Sequence, residues 1–223
     1  MTTRLTRIYE VLLAAHGPRG WWPADSPFEV MVGAVLTQRT SWRNVRLAIE
    51  RLKEADLLSP RALAGVAPER LQELIRPSGY YRQKAARLQL LVRWVLERAD
   101  GDPAGLAAAS TEDLRAELLA IRGIGPETAD SMLLYALERP TFVVDTYTMR
   151  MAVRHGLVDP ECGYHELKDL FESHLPQELE LYKDYHAQLV ELGKRYCRPA
   201  PLCGQCPLHA LLGDPLEGEG DSG

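Results

Sequence analysis

The chain lacks the long apolar runs that are typical of membrane proteins. No uncharged hydrophobic stretch among its 223 residues approaches the roughly 18 residues that a transmembrane helix needs. The first 17 residues, MTTRLTRIYEVLLAAHG, carry charges throughout and have no small-residue cleavage site of the kind that ends a signal peptide. We therefore expect a cytoplasmic protein. Its composition, 46% hydrophobic and 26% charged residues, is ordinary for a globular chain.

The chain also lacks an excess of positive charge. It has 26 Lys and Arg residues against 31 Asp and Glu residues, a formal net charge of -5, which argues weakly against nucleic acid as a partner. The charges are unevenly distributed, however. Residues 1–53 carry eight basic and four acidic side chains, whereas residues 161–223 carry five basic and twelve acidic ones. Such an asymmetric chain can still present a basic face to DNA.

Sequences with β character are almost missing. The one such run, Thr141-Phe142-Val143-Val144, is too short to build a sheet by itself. Ten other segments, from RIYEVLLAAHG to HAQLVELGKRY, repeat apolar residues at the spacing of a helix, and Gly- and Pro-containing turns separate them. The sequence therefore predicts an all-α protein. Its Gly-rich acidic tail, residues 213–223, is expected to be disordered.

A glycine-flanked turn stands out between two of these helices. The first helix is predicted to begin near Ser110 and to end near Ile121, and the next begins near Pro126, after Gly123-Ile124-Gly125. Two glycines allow a sharp turn and close approach of a ligand to the backbone. Free N–H groups at the start of the second helix suit a DNA phosphate. The alternative is a plain helical corner with a glycine at the C-cap.

The residues around this turn resemble a known family. LLAIRGIGPETAD, followed by VVDTYTMR, is similar to the motifs of the helix-hairpin-helix DNA glycosylases of the endonuclease III superfamily. SPFEVMVGAVLTQRTSWRNV, IRPSGYYRQKA and HAQLVELGKRYC occur in the family's order, so the resemblance covers roughly residues 20–208. It implies base excision from double-stranded DNA. It also implies DNA contacts by the hairpin, including Gly123, Ile124, Gly125 and Thr128.

Asp145 matches the family's catalytic aspartate. It lies eighteen residues after Glu127, at the predicted start of a helix. Cleavage of an N-glycosidic bond develops positive charge on the sugar, and a buried carboxylate can stabilise that charge and direct a water molecule. An aspartate before a helix can also be an ordinary N-cap. The resemblance favours the catalytic interpretation.

Glu127 departs from the lyase branch of the family. That branch has a lysine at this position, whose amine forms a Schiff base with the sugar and allows strand cleavage. A carboxylate cannot form an imine, so the sequence predicts a monofunctional enzyme. The GIGPETAD segment resembles the bacterial 3-methyladenine glycosylase branch, for which an alkylated purine is the expected substrate. Glu127 either lines the base pocket, which would place it among the catalytic residues, or faces solvent.

Aromatic and polar residues supply a candidate lesion site. The resemblance and the stacking of flipped bases on aromatic rings favour a base pocket formed by Trp21, Trp22 and Trp42, although tryptophans are as often core residues. Family positions that fill the gap left by the flipped base correspond to Gln38, Arg39 and Tyr80. Lys84 is predicted to contact a phosphate. The alternative for these four residues is a solvated surface.

The chain has only four cysteines. Cys197, Cys203 and Cys206 form C-x5-C-x2-C, a spacing that indicates metal binding rather than disulfides in a cytosolic protein. The resemblance implies a structural [4Fe–4S] cluster, but Leu212 stands where the fourth cysteine belongs. Cys162, His209 or an exogenous ligand would complete the set; a Cys3His zinc site and loss of the metal are alternatives. Arg150 is expected to pair with a cluster cysteine.

Together these features predict two helical lobes with a DNA cleft between them, and Asp145 facing Glu127 and the hairpin across it. Residues 23–137 would form a six-helix bundle ending in the hairpin, and residues 1–22 with 138–223 a second domain with a C-terminal metal-cluster loop. We expect a monomer that hydrolyses the bond to an alkylated purine. One alternative is a bifunctional glycosylase/AP lyase that acts on oxidised pyrimidines through another amine. Another is a non-catalytic DNA-binding module, against which the presence of Asp145 argues.

Overall fold

The computed structural model describes residues 3–215, and helices account for most of them. This part of the chain contains no β-strand, which confirms the prediction of an all-α protein. The predicted disordered tail lies mostly outside it: Gly213–Pro215 are described, and residues 216–223 are not. The α-helices are α1 (Arg4–His16), α2 (Pro27–Thr37), α3 (Trp42–Glu54), α4 (Pro60–Ala64), α5 (Pro68–Leu74), α6 (Tyr81–Ala99), α7 (Thr111–Ala120), α8 (Pro126–Ser131), α9 (Thr146–Arg154), α10 (Tyr164–His174), α11 (Leu179–Arg195) and α12 (His209–Leu212).

These helices belong to two compact units. One unit comprises Trp22–Arg139, and the other joins the residues up to Trp21 with those from Pro140 onward. Along residues 3–215, no helix is both long enough and apolar enough to cross a membrane.

Helix α2 is the central element of the Trp22–Arg139 unit. Ser26 caps it by accepting a hydrogen bond from the Glu29 N–H, and Pro27 occupies its first turn, where no N–H is needed. All nine residues 28–36 are buried, so this helix has no solvent face. It packs against α3, α6, α8 and a short π-helical segment, Met132–Ala136, that continues α8. Helix α6 also packs against α4 and α5.

The predicted hairpin is present in this unit. Helix α7 is capped by Ser110, whose side chain accepts a hydrogen bond from the Asp113 N–H, and it ends at Ala120. Ile124 is buried and its N–H donates to the Ile121 carbonyl, which closes the turn. Gly123 adopts a φ of 90°, a conformation that only glycine adopts without strain. Helix α8 then begins at Pro126.

The other unit is built around an aromatic core. Phe142 stacks on Phe171 of α10 with ring centroids 4.2 Å apart, and it contacts Tyr182 and Tyr185 of α11 edge to face. Residues 141–144 are extended and buried. The Phe142 N–H donates to the Glu172 carboxylate at 2.7 Å, so a side chain satisfies the backbone that a neighbouring strand would otherwise pair. This anchored segment leads directly into α9.

Removal of the central ring tests this core. Because Phe142 is fully buried and contacts three other rings, we expect Phe142→Ala to lower the free energy of unfolding by about 3–5 kcal/mol. Urea denaturation followed by circular dichroism measures the change. The control is Leu90→Ala on α6, where the side chain is partly exposed and the expected loss is below about 1 kcal/mol. Equal losses in the two variants would contradict this description of the core.

Candidate active site

Asp145 terminates the extended segment and is the N-cap of α9. Its Oδ1 accepts two hydrogen bonds from Thr148, one from the backbone N–H at 2.7 Å and one from the hydroxyl at 2.8 Å. The N-cap interpretation and the catalytic interpretation of Asp145 are therefore compatible, because a helix cap also fixes the rotamer of the carboxylate. The side chain is only 10% exposed. An acid held in this way has one orientation.

The second oxygen of this carboxylate faces α11. The Nε2 atom of His186 lies 3.7 Å from Asp145 Oδ2, and both side chains are buried. Burial by itself would raise the pKa of Asp145. The His186 ring and the two Thr148 donors outweigh that effect, so the pKa of this carboxyl is lowered and the group is an anion at neutral pH. The sequence analysis did not identify His186. The feature that could have indicated it is a polar side chain within the buried face of α11.

Tyr147 lines the same region. Its ring packs directly on Gly193 of α11, where a Cβ atom would lie 2.2 Å from the ring. Burial and the negative charge of Asp145 raise the pKa of the Tyr147 hydroxyl. The Arg150 guanidinium lies 5.7 Å from the centre of this ring. Gly193 is therefore required for the close contact between α9 and α11 next to the acid.

The hairpin lies in the Trp22–Arg139 unit and is tied to the end of α2. Gly123 and Gly125 are exposed at its tip. The Gln38 amide donates to the Gly123 carbonyl at 3.1 Å and to the Thr128 hydroxyl at 3.0 Å, and it accepts a hydrogen bond from Arg87. Gln38 was predicted to enter the DNA. In this structure its amide connects α2, α6 and the hairpin, and the DNA contact stays a prediction.

Two other predicted gap-filling residues are presented to solvent. Arg39 and Tyr80 are exposed, Tyr80 by 56%. Both adopt left-handed backbone conformations, with φ of 52° and 46°, which side-chain-bearing residues rarely do. Strain of this kind persists where the surrounding structure enforces it, and it is frequent at functional sites. The sequence could not reveal it, because neither residue is a glycine or an asparagine.

Lys84 is not at the surface. Its side chain is 1% exposed, and its amine donates to the Leu36 carbonyl at 2.9 Å and to the Ser78 carbonyl at 2.6 Å. Burial, together with the charge of Arg87, lowers the pKa of this amine to about 8. The predicted phosphate contact is therefore wrong for Lys84, because a positive charge in a sequence does not indicate the direction of its side chain.

Two of the three predicted pocket tryptophans contact each other. The Trp22 and Trp42 rings meet edge to face at 5.2 Å, and Trp22 also contacts Tyr135 at 5.5 Å. Trp22 packs on Gly33 of α2 and lines a cavity of about 480 Å³. Trp21 belongs to the other unit, where it lies beneath the Lys194 amine and lines a cavity of about 200 Å³. Sequence reasoning missed Tyr135.

Glu127 occupies the first turn of α8 and is exposed. Its backbone carbonyl accepts a hydrogen bond from the Ser131 hydroxyl. In the lyase branch of the family that the sequence resembles, a lysine at this position carries the lyase amine.

The environments of the C-terminal cysteines differ. Burial raises the pKa of Cys206, and the charges of Cys197 and Cys203 raise it further. Cys162 has other neighbours, since its thiol donates to the Gly163 carbonyl and its pKa is raised by burial and by Glu166. The ring Nδ1 of His209 lies 3.1 Å from the Cys203 carbonyl oxygen.

Within residues 3–215, no three His, Cys, Asp or Glu side chains are placed to hold a metal ion. A [4Fe–4S] cluster needs four ligands, and these cysteines supply at most three. The described residues therefore do not show the expected metal-cluster loop or the Cys3His zinc site. Arg150 donates to the Cys197 carbonyl, and it is Arg154 that reaches the Cys197 sulfur, at 3.5 Å.

Comparison with known proteins gives this geometry a context. Residues 32–177 match the family described as HhH-GPD superfamily base excision DNA repair protein. A putative DNA repair glycosylase of Methanocaldococcus jannaschii is 48% identical over 91% of this chain and 92% of its own length. Endonuclease III of Thermotoga maritima is 34% identical over 85% and 83%.

Solved structures agree on the fold. The 3-methyladenine DNA glycosylase MagIII of H. pylori, in a structure described as bound to 1,N6-ethenoadenine, superposes with a TM-score of 0.72 and 29% identity, over 86% of this chain and 97% of that chain. An endonuclease III–DNA complex superposes with a TM-score of 0.79 and 24% identity, over 95% and 96%. These relatives do not single out the 3-methyladenine branch. They do show that the chain belongs to the HhH-GPD superfamily and is an endonuclease III-like DNA glycosylase of base excision repair.

Proposed function

We propose that this glycosylase is monofunctional: it hydrolyses the bond between a damaged base and the sugar without cutting the strand, and alkylated purines in double-stranded DNA are its preferred substrates. The observation that carries the hydrolytic step is the buried Asp145 carboxylate, which Thr148 and His186 keep ionised. As an anion it opposes the positive charge that develops on the sugar when the base leaves. An oxygen of the same group can orient the attacking water.

Removal of this charge is the direct test. We expect Asp145→Asn to reduce base excision by at least about 100-fold and to leave DNA affinity within about twofold, because asparagine keeps the shape but cannot stabilise a cation. Single-turnover excision and fluorescence anisotropy measure the two quantities. The control is Asp113→Asn, an exposed residue in the first turn of α7. Excision by Asp145→Asn at the rate of the unaltered enzyme would disprove the catalytic assignment.

The monofunctional character rests on Glu127. β-Elimination at neutral pH is efficient when an amine forms an imine with the sugar, and a carboxylate at this position supplies none. The similarity to endonuclease III of Thermotoga maritima supports the competing proposal, a bifunctional glycosylase/AP lyase that uses another amine.

Strand cleavage separates the two proposals. We expect the protein to leave an intact abasic site, and we expect borohydride to trap no covalent protein–DNA adduct, because Glu127 cannot form an imine. Denaturing gels with and without alkali measure cleavage, and the same gels detect the trapped adduct. Glu127→Lys is the complementary variant, since it adds an amine at this position. A strong adduct with the unaltered protein would favour the bifunctional enzyme.

The proposal for the substrate rests on the aromatic rings around Trp22. Trp22 contacts both Trp42 and Tyr135, and Trp22 and Tyr135 line the cavity of about 480 Å³ together with the charged residues Asp25, Glu138 and Arg139. Indole faces favour an electron-poor, positively charged purine over a neutral base. The similarity to MagIII, a 3-methyladenine DNA glycosylase, points to the same class.

A panel of duplexes with one lesion each tests this preference. We expect N7-methylguanine, which is positively charged, to be excised faster than neutral hypoxanthine. We expect Trp22→Ala to lower the ratio of the two rates about tenfold, the value of a desolvated cation–π contact of about 1–2 kcal/mol. The ratio is independent of the folded fraction. The control is Trp94→Ala on α6, whose indole donates to Glu117. An unchanged ratio in Trp22→Ala would remove this ring from the pocket.

A further inference from the structure

We propose that Lys84 is a positioning residue that holds the two DNA-penetrating segments of the protein at a single spacing. These segments are residues 36–39, which end in Arg39, and residues 78–80, which end in Tyr80. The inference rests on the proposed function, because it takes Arg39 and Tyr80 as the side chains that fill the gap left by the flipped base.

The hydrogen bonds of the amine connect the two segments. Leu36 lies in the last turn of α2, where backbone carbonyls have no partner within the helix, and Lys84 donates to its oxygen at 2.9 Å. The same amine donates at 2.6 Å to the carbonyl of Ser78, which ends a short 3₁₀ turn. Arg39 follows Leu36 by three residues, and Tyr80 follows Ser78 by two. The Lys84 amine therefore holds the backbone next to both exposed side chains.

Both segments need such support. Arg39 and Tyr80 have positive φ angles, which cost free energy unless neighbouring contacts enforce them. Tyr80 precedes α6 without a side-chain cap, so local capping does not hold it. The buried amine, in the first turn of α6, donates two hydrogen bonds that supply the restraint a side-chain cap would otherwise give.

The chemistry of lysine explains why this residue type suits the position. An apolar side chain would fill the same volume without the cost of burying a charge, and that cost is visible in the pKa of Lys84, which is lowered to about 8. An apolar residue, however, has no N–H groups for carbonyls of two different segments. An ammonium carries three donors on a flexible stem and can reach both. A buried ion that connects two segments favours one arrangement rather than greater stability.

Helix α6 extends this arrangement to the hairpin. Arg87, three residues after Lys84, donates to the Gln38 side chain, and its own side chain packs against Gly123, where a Cβ atom would lie 2.3 Å from the guanidinium. Gln38 in turn donates to the Gly123 carbonyl. Lys84 and Arg87, on one face of α6, thus hold both penetrating segments and the hairpin in fixed relative positions. The three elements therefore need no rearrangement when they bind the duplex.

The test uses a duplex that cannot be cleaved and does not depend on the damaged base. It contains a tetrahydrofuran abasic analogue with 2-aminopurine opposite, whose fluorescence rises when inserted side chains displace it from the stack. We expect Lys84→Met to lower this fluorescence rise. We also expect it to lower the ratio of the affinities for the abasic and the undamaged duplex roughly 10- to 100-fold. Affinity for the undamaged duplex should change by less than about threefold, because that affinity depends on phosphate contacts.

The matched control is Lys168→Met. Lys168 is a second buried lysine, whose amine contacts the Thr141 hydroxyl and the Glu172 carboxylate and neither penetrating segment. We expect it to lose stability in urea as Lys84→Met does, and to keep the fluorescence rise. If Lys84→Met folds poorly, Lys84→Gln, which keeps N–H donors on a shorter side chain, is expected to show an intermediate loss. An equal effect of the lysine variants at 84 and 168 would overturn the proposal.

A second comparison distinguishes positioning from general structural support. If Lys84 acts through Arg39 and Tyr80, adding Lys84→Met to the Arg39→Ala/Tyr80→Ala variant should lower the fluorescence rise no further. A further loss would show that Lys84 acts by another route. If Arg39→Ala and Tyr80→Ala keep the full fluorescence rise, the assignment of the penetrating residues fails, and the inference about Lys84 fails with it. Excision by the same variants shows separately whether the glycosylase function stands.

Discussion

The central physical constraint in this protein is that a carboxylate must stay ionised where water is largely excluded. Asp145 meets it through the start of α9, which supplies two Thr148 donors, and through the approach of His186 from α11. The backbone that carries the acid is held by the aromatic core at Phe142 and by the Glu172 carboxylate. These contacts together support one buried negative charge.

The other unit solves a different problem, which is the exposure of the side chains that we propose to enter DNA. Arg39 and Tyr80 are exposed and have strained backbone conformations, and the buried interior of the unit holds them in place. Helix α2 is buried along residues 28–36 and gives that interior its rigidity, while α6 directs Lys84 and Arg87 inward to the ends of the exposed segments. Rigid elements that carry reactive loops are the general condition for a precise binding surface.

Several local features could be predicted because their causes lie within a few residues. Ser110 caps α7 as expected, the hairpin turns at Gly123, and α8 begins at Pro126. The positions of Lys84 and Arg154 could not be predicted in this way. A lysine is usually solvated, and only the packing of α6 against two other segments makes this amine internal. Arg154 reaches the Cys197 sulfur because α9 and α11 pack together.

The sequence by itself determined the all-helical class, the hairpin and the absence of an amine at Glu127, and it singled out Asp145 as the candidate acid, since each depends on residue chemistry or on short-range spacing. Tertiary structure decided the environment of these groups. It brought His186 to Asp145, placed Tyr135 and Trp42 against Trp22, and linked the Gln38 amide to the hairpin. The physical reason is that burial, charge stabilisation and side-chain direction arise between residues distant in the chain, and the spacing of residues along one helix does not specify them.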